Sequence, residues 1–175
     1  MERADGPKGE AGNGHRLRRL WRRGCGFLGT ETPIICGAMA WVSDHNLVAA
    51  VSDAGGFGVL AASAMPPEQL EEEIALTRAA TDRPFGVNVI TLHPRFEAII
   101  EVCTAAGIGH VVLAGGLPSA ATIRALKDAG SRVICFAPVV PVAKRLLRSG
   151  VDALIVEGRE AGGHVGPTST LVLAQ

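Results

Sequence analysis

The sequence has no tyrosine, and phenylalanine and tryptophan are scarce, with five and two copies in 175 residues. A protein that holds single-stranded nucleic acid by stacking bases on aromatic rings is therefore not expected. Charge of either sign is not in excess: 17 basic and 17 acidic residues leave a formal net charge of zero. A general binder of nucleic acid or of anionic membranes needs a basic surplus, so neither is expected as a partner. No apolar run approaches the ~20 residues that span a bilayer. The four cysteines (Cys25, Cys36, Cys103 and Cys135) form no Cys-x-x-Cys pair. With no secretory signal at the start, they point to a reducing, cytoplasmic setting without structural zinc. No set of His, Cys, Asp and Glu has metal-ligand spacing, and the Gly-x-Ser-x-Gly string of a serine hydrolase is missing.

What the chain does have is glycine, at 22 residues, among abundant Ala, Val, Ile and Leu. Hydrophobic residues make up 47% of the sequence, enough for one domain with a sizeable core. Residues 1–29 differ from the rest. They carry Arg3, Lys8, Arg16, Arg18, Arg19, Arg22 and Arg23 against Glu2, Asp5 and Glu10. The stretch "HRLRRLWRRG" could form a short amphipathic helix of the kind found in organelle transit peptides. The acidic residues and the lack of serine favour the other reading, a basic, disordered extension outside the core.

From Pro33 onward one unit recurs: a short apolar run, then a glycine or small residue, then a mixed-polarity segment. The runs are "PIICGAM" (33–39), "FGVLA" (57–61), "FGVNVI" (85–90), "HVVLAG" (110–115), "RVICFAP" (132–138) and "ALIVEG" (153–158). Each is apolar on both faces, as strands of a parallel sheet covered by helices must be. The segments "PPEQLEEEIALTRAAT" (66–81) and "PSAATIRALKDAG" (118–130) have helical periodicity with Pro at the start of one and Gly130 at the end of the other. Parallel strands need crossovers of the size that separates these runs.

Two α/β architectures fit this rhythm, a (β/α)8 TIM barrel and a doubly wound open sheet. A dinucleotide-binding open sheet would show Gly-x-Gly-x-x-Gly after its first strand. Here that strand leads into "GAMAWVSD", so the barrel is favoured. Only about six βα units can be counted over residues 30–175, so the barrel is expected to be incomplete, with open strand edges that favour pairing into a homo-oligomer.

Barrel chemistry sits at the carboxyl ends of the strands and in the loops beyond them. Most residues there are small, which leaves room for a flat ligand. The polar exceptions are Asn88, Glu157 and His164. Each has an ordinary alternative: a core amide, a loop cap and a solvent-facing loop histidine. Gly162 and Gly163 permit a tight turn and would also let backbone N–H groups approach a ligand. His15, His45, His93 and His110 fall on tails, helices or the amino ends of strands, and no chemistry is assigned to them.

The segments "TPIICGAMAWVSDHNLVAAVSDAGGFGVLA", "RPFGVNVI" and "ALIVEGREAGGHVG" together resemble the nitronate monooxygenase family, formerly the 2-nitropropane dioxygenases. Type II flavin-dependent enoyl-acyl-carrier-protein reductases share that fold. The resemblance extends over residues 24–175 and implies a TIM barrel with FMN at the carboxyl ends of its strands. It would place the backbone of Ala38 and Met39 against the flavin ring and give Asn88 a hydrogen bond to it. Gly162 and Gly163 would bring backbone close to the cofactor, and His164 would be the base or proton donor. The implied reaction converts a small nitronate or nitroalkane with O2 to a carbonyl compound and nitrite. The family's usual "QGPM" is "CGAM" here, which leaves the substrate open between a nitronate and, with NAD(P)H, an enoyl thioester. The family's phosphate loops follow strands seven and eight, beyond the six counted. A truncated, non-catalytic fragment is therefore the third reading.

Overall fold

The computed structural model describes residues 10–163 and 165–175, with side chains from residue 16 onward. Six parallel strands form one sheet: β1 (Ile35–Cys36), β2 (Phe57–Ala61), β3 (Phe85–Ile90), β4 (His110–Ala114), β5 (Arg132–Ala137) and β6 (Ala153–Val156). Their spatial order is the order of the chain, β1-β2-β3-β4-β5-β6, each paired with the next. A doubly wound sheet reverses its order at a switch point. This one never does, so the sheet curls as an incomplete TIM barrel. Between the strands run α2 (His45–Asp53), α3 (Pro67–Ala80), α4 (Phe96–Ala105), α5 (Ala120–Asp128) and α6 (Val140–Arg148).

Local chemistry sets the helix starts. Asp44 precedes α2 and its carboxylate accepts from the backbone N–H groups of Asn46 at 3.0 Å and Leu47 at 3.1 Å. Those bonds hold its carboxyl below the usual range, since they favour the ionised form. Ser119 caps α5 by accepting from Thr122 N–H at 3.0 Å. Pro67 occupies the first turn of α3, where its missing N–H costs nothing.

The strands alternate between two apolar faces. Val87, Val111, Leu113, Val133 and Cys135 point outward and pack against Leu70, Ile74, Ile99, Ile123, Leu126 and Leu146 of the helices. The other set, Phe57, Val59, Val112 and Ile134, lines the inner face with Ile35, Ala38, Phe136, Ala153 and Ile155 beside it. All four thiols are free. Burial pushes those of Cys103 and Cys135 up to about 12, so both behave as small apolar residues.

The expectation of a disordered extension over residues 1–29 needs correction in its second part. Residues Glu10–Leu28 form a helix, α1; residues 1–9 lie outside the described residues. The composition of this stretch gives little to bury, but its last turn carries Phe27 and Leu28, and both join the inner cluster. Phe27 sits edge-on to His110, their ring centroids 5.5 Å apart, and Phe57 flanks the same imidazole at 4.9 Å. His110 Nε2 lies 2.8 Å from the Phe27 carbonyl. The Arg132 guanidinium lies 5.2 Å over the Phe27 ring and donates to the carbonyls of Gly26 and Phe27. The end of α1 thus closes the floor of the barrel at the amino ends of β4 and β5. There a cation meets the negative pole of a helix. Burial is the main cause that lowers the His110 pKa below the ordinary imidazole value, so this ring is a neutral structural donor.

Candidate functional site

The opposite end of the sheet carries the residues singled out in the sequence. One row of register partners crosses five strands: Ala61, Asn88, Val112, Ile134 and Ala153. Val112, Ile134 and Ala153 belong to the inner cluster, so Asn88 faces the lumen among apolar neighbours. Asn88 is 7% exposed, and its Nδ2 makes one long contact, 3.5 Å from the Val112 carbonyl. An amide can donate twice and accept twice, so most of this one's capacity is unspent. Its carboxamide oxygen makes no hydrogen bond among the described residues and is not fully buried, so it stays open to a partner in the lumen.

Ala38 and Met39 follow β1 on the same carboxyl side. Ala38 packs on the inner cluster and Met39 is exposed. Their backbone is fixed by Ser43, which is buried at 1% exposure. Ser43 Oγ accepts from Met39 N–H at 3.0 Å and donates to the Gly37 carbonyl at 3.4 Å. Ser43 N–H donates to the Met39 carbonyl at 2.9 Å, and the Ser43 carbonyl accepts from Ala61 N–H at 3.1 Å. One serine therefore ties the end of β1 to the end of β2. The tight loop it closes puts Trp41 at φ +68°, a conformation bulky side chains rarely adopt, and leaves it 83% exposed. Such a residue costs about 1–3 kcal/mol, and the Ser43 bonds offset it. Nothing in "AMAWVSD" distinguishes Ser43, because its partners lie across the loop. Ser43→Ala is expected to cost about 1–3 kcal/mol by leaving the Met39 N–H and the Gly37 carbonyl without their partner, and Ser43→Thr should restore most of it. Urea melting curves of the two variants check both.

Beyond β3 and β4, Thr91 Oγ1 is buried with no hydrogen-bond partner among the described residues. A Cβ at Gly116 would come within 2.8 Å of that oxygen, so the Gly115–Gly116 turn keeps the space beside it clear.

The loop after β6 closes on itself. Gly166 N–H donates to the Gly158 carbonyl at 3.1 Å, and Arg159 N–H to the Thr168 carbonyl at 2.8 Å. A Cβ at Gly166 would collide with the Glu157 carbonyl, and one at Gly158 with Thr170. Glu160, which the sequence reading passed over, anchors the far end: its carboxylate accepts from both N–H and hydroxyl of Thr170 at 2.8 Å, at the start of the short helix α7 (Thr170–Leu173). These bonds hold the Glu160 carboxyl below its ordinary value. Glu157 is half-buried at the end of β6. At the loop tip Gly162 and Gly163 are exposed, with open space where a Cβ would stand, and only Gly163, at φ +79°, demands glycine for its conformation. His164 lies outside the described residues. Ala38, Met39, Asn88 and the Gly162–Gly163 loop are thus all carried on the carboxyl side of one curled sheet.

A sequentially ordered parallel sheet with covering helices and a helical floor defines a (β/α) barrel protein, here an incomplete one. The chain belongs to the nitronate monooxygenase family, whose model matches residues 23–106 and 94–174. The nitronate monooxygenase of Paraburkholderia phytofirmans is 34% identical over 80% of this chain and 49% of its own length. An indene-carboxyl-CoA dehydrogenase of Mycobacterium tuberculosis is 36% identical over 84% of this chain and 41% of its own length. Among solved structures, FabK from Thermotoga maritima superposes with a TM-score of 0.83 at 40% identity, over 86% of this chain and 48% of FabK. The nitroalkane oxidase of Streptomyces ansochromogenes gives 0.75 at 30% identity, over 78% of this chain and 49% of the oxidase. The chain spans about half the length of the relatives it matches.

Proposed function

We propose that the chain serves an FMN-dependent oxidoreductase that converts small nitronates or nitroalkanes, with O2, to carbonyl compounds and nitrite. The observation that carries this reading is Asn88, a lumen-facing amide with most of its hydrogen-bonding capacity unspent among the described residues, on the side of the sheet where barrels carry their chemistry. The surroundings fit a flat, polar-edged ring. Ala38, Ala61 and Ala114 are small, and the Thr91 hydroxyl lacks a partner among the described residues. When bound, FMN would supply the electron-accepting chemistry that no side chain offers. Asn88 would hold the polar edge of the ring, and the Ser43-fixed backbone of Ala38 and Met39 would form one wall. The loop of Gly162 and Gly163 would cover the site from the β6 side. His164 would take the proton from the carbon bearing the nitro group, or hold the nitronate oxygens in its protonated form. Imidazole suits both duties because its ordinary pKa lies near neutrality. Free thiols throughout fit the reducing, cytoplasmic setting proposed for it.

The 40% identity with FabK favours a second reading, an NAD(P)H-using enoyl-acyl-carrier-protein reductase. Two assays on the purified chain separate them after its visible spectrum has been recorded with added FMN. Flavin absorbance that survives dialysis, with nitrite released from ethyl nitronate, is the expected result. NAD(P)H oxidation driven by a crotonyl thioester, without nitrite, would replace the first reading with the second. A protein that stays colourless would leave neither standing for this chain by itself.

A further inference from the structure

We propose that the exposed part of α1 is a docking surface for anionic phospholipid membranes, lying flat in the headgroup layer. Residues 16–22 precede the family match, which begins at residue 23, so the barrel's chemistry does not account for them. At about 100° per residue, Leu17, Leu20, Trp21, Gly24, Phe27 and Leu28 share an arc of about 120°. Arg16, Arg18, Arg19, Arg22 and Arg23 fill about 160° of the opposite side. The apolar stripe is continuous but differently covered along its length. Its end, Phe27 and Leu28, is packed into the barrel floor. Its beginning is bare: Leu17 is 45% exposed, Leu20 66% and Trp21 36%. All five arginines are exposed, and among the described residues none forms an ion pair with a carboxylate.

The net neutrality of the chain conceals this local surplus. Five cations on one helix fall in the range of basic clusters that bind anionic lipids. A helix with an arginine face, a Leu/Trp face and low overall hydrophobicity is the form that lies in a membrane interface. No described helix is long and apolar enough to cross a membrane, so the contact is peripheral. Charge alone would also suit a nucleic-acid backbone. The bare Leu17–Leu20–Trp21 stripe decides for lipid, because a phosphodiester surface offers nothing for it to bury in. The anchor at Phe27, His110 and Arg132 holds the barrel floor toward the bilayer and the carboxyl ends of the strands toward solvent.

Co-sedimentation of the full chain with vesicles of equal phosphatidylglycerol and phosphatidylcholine, against phosphatidylcholine alone, tests this. Binding is expected only to the anionic vesicles, with a blue shift of tryptophan emission that Trp21→Phe abolishes. Partitioning should fall steeply between low and physiological salt. Each arginine removed should cost about fivefold, so Arg18→Gln with Arg19→Gln and Arg22→Gln should lose about 100-fold. Leu20→Ser should cost about tenfold, and Leu17→Ser serves as a second test if that variant melts early. Failure to sediment with anionic vesicles at low salt would overturn the proposal, and so would equal sedimentation with both kinds. Binding that ignores both serine variants would overturn it in favour of a purely electrostatic partner such as RNA.

Discussion

Phe57→Ala is expected to cost about 3–5 kcal/mol of folding stability, the largest loss from a single substitution outside the loops. Phe57 has no exposed surface and sits where three parts of the molecule meet: β2, the His110 imidazole at 4.9 Å and the α1 residues Phe27 and Leu28. Truncating it removes the transfer free energy of the ring and leaves a cavity that the rigid strand row beside it cannot collapse to fill. His110 would also lose one wall of the pocket that keeps it neutral. Since domains are stable by only ~5–15 kcal/mol, the loss would show as a large drop in the urea midpoint at unchanged slope. Phe57→Leu should retain more than half of the lost stability. A Phe57→Ala chain with the wild-type midpoint would mean that α1 does not close the floor in solution.

His164→Ala carries the largest expected effect on rate. If this side chain removes the proton, its loss should slow turnover of a neutral nitroalkane by about 10²–10⁴-fold. A preformed nitronate has already lost that proton, so its turnover should fall far less. Nitrite release from nitroethane and from ethyl nitronate, measured on the same variant, makes the comparison. Unequal loss on the two substrates is the signature of a base. Equal loss would assign the residue to holding the substrate, and the base would have to be sought elsewhere in the loop beyond β6.

The strands were legible in the sequence because burial on both faces writes itself as an uninterrupted apolar run. The runs at 57–61 and 85–90 coincide with β2 and β3, and the periodic stretch at 66–81 with α3 to within a residue at each end. The run at 33–39 overshoots, since β1 pairs only at Ile35 and Cys36. Past them the chain leaves the ladder for the loop that Ser43 closes, and hydropathy cannot register a hydrogen bond across a loop. The same limit hid Glu160, whose partner Thr170 lies ten residues on, and the floor role of His110, whose acceptor is 83 residues away. Asn88 was singled out because a lone amide in an apolar run is itself a signal, and the register turns it toward the lumen. Phe27 and Leu28 were lost in the average of a polar segment, although only that segment's last turn touches the core.

The strictly sequential strand order also shapes how the molecule can assemble. Each strand needs only the unit made just before it, so β1 to β6 can be laid down in turn with modest loop-closure cost at each step. The end of α1 is the exception: its contacts to His110 and Arg132 span 83 and 105 residues. The first of the described helices is therefore among the last to find its place, a stopper fitted once the vessel has taken shape.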